Sequence, residues 1–299
     1  MKCNICPRAC EADRVVSLGF CHAGTLPEVA SICVHKGEEP PICGEKGICN
    51  VFFAHCNLQC IYCQNHDISR GQLAASNAPS YVGVDAIVDR IAEVLQQTEN
   101  IVGFVSPTHY AVHIPTIVEA LHSRGLFPTT VYNTGGYDSV ETLRLVAPYI
   151  DIYLPDFKYM DSDLARGYSH APDYPQVALR ALREMYDQKG SSLPTDDRDL
   201  AYRGIIVRHL VLPGQVQNSL DVLDALADIS TNLLVALMAQ YFPPCPDLPD
   251  QLGRTLTAEE YDRVTDHFYS VGLHRGWVQE LEAQKCYRPD FSQTQAFFE

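Results

Sequence analysis

From Asn50 onward, short apolar runs alternate with stretches whose apolar residues recur every three or four positions. The runs Val51–Ala54, Ile101–Ser106, Thr129–Asn133, Ile150–Leu154, Ile205–Leu210 and Leu233–Leu237 read as strands. They lack strict apolar–polar alternation, as expected of strands covered on both faces. Between the first two, Val84, Ile87, Val88, Ile91, Val94 and Leu95 define a helix. Pro79 and Ser80 mark a turn ahead of it, and Asp85 places negative charge near its start. Further helices are expected over His113–Ser123, Ser139–Val146, Val177–Tyr186, Ser219–Ile229 and Ala258–Val271. Six strands alternating with helices predict an α/β fold with a parallel sheet and right-handed crossovers. Periodicity alone fits an open doubly wound sheet and a partial barrel equally well.

Three stretches depart from this repeat. Residues 1–49 have little periodicity and are rich in Cys, Pro and Gly, so their order is expected to depend on a bound ligand. That divides the chain into a cysteine-rich extension, 1–49, and a sheet domain with a tail, 50–299. The polar segment Gln188–Arg203, between the fourth and fifth strands, reads as a surface loop or a lid over the carboxyl end of the sheet. After the last helix, the tail through Trp277 and Tyr287-Arg288-Pro289-Asp290-Phe291 is expected to be irregular.

Composition narrows the function. The 299 residues carry 22 Lys and Arg against 37 Asp and Glu, a formal charge of −15, which argues against a nucleic-acid backbone as partner. The longest apolar stretch, around Leu233–Ala239, is too short to cross a bilayer. The opening MKCNICPRAC has no apolar run of a secretory signal, so a cytoplasmic location is expected. Ten of the 12 cysteines fall within the first 63 residues, while the rest of the chain is long enough to fold on apolar packing. That distribution points to metal or redox chemistry rather than a disulfide scaffold.

The sharpest constellation is Cys56-Asn-Leu-Gln-Cys60-Ile-Tyr-Cys63, directly after the first strand. Loops leaving parallel strands are the usual place for an active site. Spacings of three and two residues let three thiolates turn toward one inorganic centre, and thiolates suit iron–sulfur clusters. Three cysteines leave a fourth position for His, Cys or a substrate. The alternative is a zinc site completed by His55 or His66.

The C-x₃-C-x-aromatic-C loop after the first strand resembles the signature of the radical S-adenosylmethionine (SAM) superfamily. More narrowly, the chain is similar to the group related to the pyruvate formate-lyase activating enzyme. The narrower likeness rests on Gly44-Glu45-Lys46-Gly47, Cys63-Gln64-Asn65, Asp67-Ile68-Ser69, Ser106-Pro107-Thr108-His109-Tyr110, Tyr132–Tyr137 and Asp151–Tyr159. It continues through Arg208–Gly214, Met238-Ala239-Gln240-Tyr241 and Arg288-Pro289-Asp290-Phe291. The resemblance implies a partial (β/α)6 barrel and a [4Fe–4S] cluster on Cys56, Cys60 and Cys63, with SAM on the remaining iron. It further implies reductive cleavage of SAM to a 5′-deoxyadenosyl radical, which takes a hydrogen atom from a protein, peptide or small-molecule substrate. Activation of a glycyl-radical protein is one version. A one-electron reductase such as flavodoxin or ferredoxin is the implied partner.

The same resemblance nominates residues for SAM. Ser106, Pro107 and Thr108 stand where superfamily members often carry Gly-Gly-Glu, and their hydroxyl and carbonyl groups are acceptors for an ammonium. Lys158 matches a SAM-contacting lysine of the activating-enzyme relatives; a structural ion pair with Asp156 is the alternative. Arg208 offers a fork for a carboxylate or ribose, and its neighbour His209 should face the other way. Asn133 and Gln240, at strand ends, offer amides to ribose or adenine, or close backbone bonds in their loops. Tyr62 either stacks beside adenine or packs on the cysteine loop. Gly135 and Gly136 suit a close approach or a positive-φ turn.

At the amino terminus, Cys3, Cys6, Cys10 and Cys21 form a second ligand set, for zinc or a second iron–sulfur cluster. Cys6-Pro7-Arg8-Ala9-Cys10 resembles the opening of the same subgroup. Cys33, Cys43, Cys49, Cys245 and Cys286 fit neither set. The competing functional class is a non-catalytic iron–sulfur or zinc protein serving electron transfer or assembly.

Overall fold

A computed structural model describes residues 2–70, 80–285, 289–291, 293 and 296; Pro79, Cys286, Tyr287 and Arg288 lie outside the described residues. The sheet has nine strands: β1 Glu28–His35, β2 Ile48–Phe53, β3 Tyr81–Val82, β4 Ile101–Val105, β5 Thr129–Thr134, β6 Ile152–Pro155, β7 Gly204–Leu210, β8 Leu234–Met238 and β9 Gly276–Val278. Its order is β3-β1-β2-β4-β5-β6-β7-β8-β9. From β2 to β9 every pairing is parallel, and each strand lies beside the one before it in that series. A doubly wound sheet reverses its order at a switch point, and this one never does. The six expected strands, β2 and β4 to β8, therefore form the partial (β/α)6 barrel.

The long helices are α1 Val84–Leu95, α2 Ile114–Ser123, α3 Val140–Val146, α4 Ser162–Ser169, α5 Tyr174–Lys189, α6 Val216–Ile229 and α7 Ala258–Ser270. In α1 the residues Ile87, Val88, Ile91, Val94 and Leu95 are all buried, as their spacing requires. They face the outer side of the sheet, where Val51, Phe53, Phe104, Tyr132, Val207 and Leu237 join the same core. Among the described residues no helix is long and apolar enough to cross a membrane.

Several expectations are corrected. β1 runs antiparallel to β2 within the same sheet, so a boundary between residues 49 and 50 cuts through β2. β1 is buried along nearly its whole length, and a run covered on both faces has no period-two signature. The tail contains β9, where Trp277 pairs with Ala236. The helix expected from His113 starts at Ile114, after a 3₁₀ turn over Thr108–His113. α4, capped by the Asp161 side chain on the Asp163 and Leu164 amides, was not anticipated.

The segment Gln188–Arg203 is at the opposite end from the one expected. It leads from α5 into β7, and a helix-to-strand connection lies at the amino ends of parallel strands. Leu193, Leu200 and Ala201 pack there against Ile48, Ile101 and Ile152, the first residues of β2, β4 and β6. The Ala201 amide donates to the Pro41 carbonyl at 2.7 Å. This segment plugs the floor of the barrel.

Above that floor, residues two apart on each strand climb the inner face toward the carboxyl ends. Phe52, Val105, Asn133, Arg208, Leu210 and Met238 reach the top this way and line a cavity of about 220 Å³.

Candidate active site

The cysteine loop leaves β2 with its backbone strained at two points. His55, immediately before Cys56, has φ 70°, and Gln59, immediately before Cys60, has φ 53°. Left-handed backbone is costly for residues with a Cβ and persists where the surroundings enforce it. The Cys56, Cys60 and Cys63 side chains all line the cavity. Burial pushes the Cys56 thiol up to about 12, the nearby Cys60 thiol adding to it. Burial also raises Cys60, against the pull of Lys158 and a 2.9 Å hydrogen bond from the Ser169 hydroxyl to its Sγ. The Cys56 and Cys60 thiols are neutral without a metal, so metal binding must release their protons.

The two histidines that would complete a zinc site each have one ring nitrogen engaged, while the Nδ1 of each is buried without a hydrogen-bond partner among the described residues. His55 Nε2 lies 2.9 Å from the Glu28 carboxylate, and His66 Nε2 lies 3.3 Å from Asp67. Among the described residues, no three His, Cys, Asp or Glu side chains form a group able to hold one metal ion. Three thiols lining one cavity would suit the protein ligands of a [4Fe–4S] cluster, whose irons take thiolate sulfur.

Asp156 and Lys158 follow β6, near enough to Cys60 for their charges to act on its thiol. Lys158 Nζ donates to Asp156 Oδ2 at 2.5 Å, and both line the cavity. Burial opposes the lysine charge, but the Asp156 carboxylate outweighs it and holds the ammonium well above its ordinary range. The Lys158 amide donates to the Tyr174 hydroxyl, which donates in turn toward the carbonyls of Gly135 and Asp156. Gly136 has φ 79°, and a Cβ there would lie 2.3 Å from the Asp156 oxygen. Both reasons proposed for a glycine therefore apply at this position.

Arg208 faces the cavity and His209 faces away, as strand alternation requires. Arg208, however, is held by two carboxylates that the sequence did not single out, Glu38 and Glu39. Its Nε donates to Glu39 Oε1 at 2.8 Å and its Nη2 to Glu39 Oε2 at 2.5 Å and to Glu38. Asn50 donates to the other Glu38 oxygen at 2.7 Å. Gly103 makes that reach feasible, since a Cβ on it would sit 2.1 Å from Asn50 Oδ1. Burial penalises the Glu38 charge, but Arg208, His35 and Asn50 outweigh it and hold the carboxyl down at about 2. Three lining carboxylates, Glu38, Glu39 and Asp156, face two cations, Lys158 and Arg208, before any thiolate is counted. That excess of negative charge suits a cationic sulfonium.

The remaining nominated residues divide. Tyr62, Ser106, Asn133 and Gln240 line the cavity, whereas Pro107 and Thr108 are not among its lining residues. Ser106 turns with φ 53°, ahead of the 3₁₀ turn over Thr108–His113. Thr108 is buried, donating to Asp138 at 2.8 Å beside Thr134 and Tyr132, so its hydroxyl braces the interior. Tyr62 accepts from Tyr159 and packs edge-on to Tyr159, Tyr168 and Tyr241. The Gln240 side-chain oxygen accepts from Gln279, a lining residue of the tail that was not anticipated.

The amino-terminal cysteines lie outside the cavity lining but beside the loop. Arg8 donates to the carbonyls of Asn57, Ser169 and His170 and stacks 3.9 Å from the Phe20 ring. Cys3, Cys6 and Cys21 are buried and Cys10 is exposed. Cys33, Cys43 and Cys49 are buried in or beside β1 and β2, where burial raises their thiols and they pack as small apolar groups.

The cysteine loop and the ordered parallel strands behind it make the chain similar to radical SAM proteins. No protein-family model matches it. It is 25% identical over 272 residues to an uncharacterized protein of Methanocaldococcus jannaschii, covering 88% of this chain and 73% of that one. Among solved structures it is similar to a domain of pyruvate-formate lyase-activating enzyme from Bacteroides vulgatus. That likeness has TM-score 0.37 and 14% identity, over 57% of this chain and 93% of the other. It is also similar to methylornithine synthase, with TM-score 0.47 and 16% identity over 77% of this chain and 63% of that chain.

Proposed function

We propose that this chain is a radical SAM enzyme. The observation that carries the reading is that Cys56, Cys60 and Cys63 line the same cavity as Asn133, Asp156, Lys158 and Gln240. When bound, the cluster and SAM supply one-electron cleavage of a sulfonium C–S bond and hydrogen-atom abstraction. Cys56, Cys60 and Cys63 would hold the cluster. Lys158 presents a fixed positive charge to the SAM carboxylate, and Asp156 steadies that charge while accepting from a ribose hydroxyl or the amino group. Asn133 and Gln240 add uncharged hydrogen bonds to the nucleoside. The apolar floor and the ring of tyrosines around Tyr62 keep water from the reacting centre.

Anaerobic reconstitution, followed by reduction with SAM, should release methionine and 5′-deoxyadenosine, and C60A should release neither. An intact, reduced cluster that leaves SAM uncleaved with several competent donors would overturn the reading. A one-electron carrier such as flavodoxin or ferredoxin is the expected reductant, and the hydrogen donor is a protein, a peptide or a small molecule. Glycyl-radical activation is the finer form; it rests on the strand-end motifs and predicts a glycyl EPR signal on the partner protein.

A further inference from the structure

Each sulfur of the cysteine loop faces a hydrogen-bond donor, and two of the three donors are side chains. The Ser169 hydroxyl donates to Cys60 Sγ at 2.9 Å, and the Ser69 hydroxyl donates to Cys63 Sγ at 3.3 Å. The third donor is the Leu58 amide, 3.4 Å from Cys56 Sγ. Both serines are buried, Ser169 completely. Neither is among the residues that line the cavity, so neither is placed to touch SAM or a substrate.

The fold holds these hydroxyls where they are. Ser169 closes α4, and that last turn is stitched to the loop by the Ile61 amide, which donates to the Tyr168 carbonyl at 2.8 Å. Arg8 donates to the Ser169 carbonyl at 2.9 Å, and the Tyr159 hydroxyl lies 2.8 Å from the Ser169 side-chain oxygen. A helical serine ordinarily bonds back to the carbonyl four residues before it. Here the Ala165 carbonyl accepts the Ala171 amide instead, and the Ser169 hydroxyl crosses to a sulfur 109 positions away in sequence. Ser69 ends the helical turn His66–Ser69, whose first amide donates to the Cys63 carbonyl. Arg70, next in sequence, donates to the Cys60 carbonyl at 3.0 Å and to that of Ile61, which pins the turn to the loop.

A thiolate bound to iron keeps lone pairs that accept hydrogen bonds, and reduction adds a negative charge that those bonds stabilise. We propose that Ser169 and Ser69 are positioning residues whose hydroxyls raise the reduction potential of the cluster on Cys56, Cys60 and Cys63, Ser169 more than Ser69. The proposal rests on the radical SAM reading for the presence of that cluster. On reduction, one electron arrives from a one-electron carrier, which is oxidised by one electron, and each serine keeps its proton. The two hydroxyls thus bring the loop cluster within reach of a less reducing carrier.

Redox titration of the full chain, reconstituted anaerobically and without SAM, is the test. The readout is the EPR signal of the reduced protein that C56A/C60A/C63A lacks. At a fixed ambient potential, S169A should lower the ratio of reduced to oxidised cluster about tenfold, a shift of about 59 mV for one electron. S69A should lower it about threefold, in keeping with its longer bond. S169T, which keeps the hydroxyl, should stay near wild type. S69A carries the test by itself if S169A does not hold its iron. Equal midpoint potentials in wild type and the alanine variants overturn the proposal, and S169T matching S169A overturns it by assigning the shift to packing. Wild type that assembles no four-iron cluster overturns this proposal and the radical SAM reading together. Equal potentials in proteins that still cleave SAM overturn the proposal alone, whereas shifted potentials in proteins that never cleave it overturn the reading alone.

Discussion

Arg208 is buried between Glu38 and Glu39, and removing it strands two carboxylates away from water. Breaking a buried pair from one side costs several kcal/mol because the partner remains charged and unpaired. R208M should therefore lower unfolding stability by about 3 kcal/mol or more, measured by chemical denaturation, and R208K should restore part of it. A loss below 1 kcal/mol would show that the clamp is not structural. The buried histidines give a second, pH-dependent expectation. Burial lowers His209 to about 4 and His109 to about 3, both neutral in the fold with hydrogen bonds to the Phe157 and Ala54 carbonyls. An unfolded chain takes up those protons below its ordinary value near 6.5, so stability is present above that pH and lost as pH falls toward the folded values. Glu38 acts in the same sense from about 4.5 down to about 2. H209Q should lose less stability than wild type between pH 6.5 and 4, a difference on the order of 3 kcal/mol. Comparing the two proteins cancels the acid loss of any cluster, and parallel pH curves would refute the assignment.

Among the elements, the turn after β5 and the extension's seat on the loop carry the sharpest consequences. G136A forces a Cβ against the Asp156 carbonyl in a left-handed turn, so a loss of about 2–4 kcal/mol is expected in thermal unfolding. Unchanged stability would show that the loop relaxes without cost. Arg8 ties the segment ahead of β1 to the barrel, with three carbonyl partners and a ring beneath it. R8A should speed proteolytic cleavage within residues 10–25 about tenfold while leaving the barrel fragment resistant. Equal cleavage rates would place the seat elsewhere, for example on the bonds from Ser139 and Thr142 to the Ile5 carbonyl.

For the whole molecule, the barrel is closed at its floor by the α5–β7 segment and open toward the cysteine loop. Leu200 is the large apolar side chain of that plug, and L200A should cost about 2–5 kcal/mol. Iron content and SAM cleavage should remain at wild-type levels, because the plug lies beneath the cavity. A fall in iron content in folded L200A would mean that floor and loop are coupled. Much of this architecture was legible along the chain. Strand cores and amphipathic helices show as local periods, and the three loop cysteines lie within eight residues. Which of Arg208 and His209 faces inward also followed from alternation along one strand. Glu38 and Glu39 were not legible as cavity residues. They stand roughly 170 positions from Arg208, and only strand pairing brings β7 to the turn after β1. Thr108 was misplaced for a related reason, because its spacing after β4 does not reveal the turn at Ser106 that carries it inward.

Local order along the chain thus sufficed for the repeating elements and for a thiol set confined to one loop, since neighbours in sequence stay neighbours in space. Charge pairing inside the barrel, the end of the sheet that the long polar segment closes, and the seat of Arg8 on the cysteine loop all required the folded chain. Each joins residues far apart in sequence, and burial in the assembled core sets the energy of those contacts.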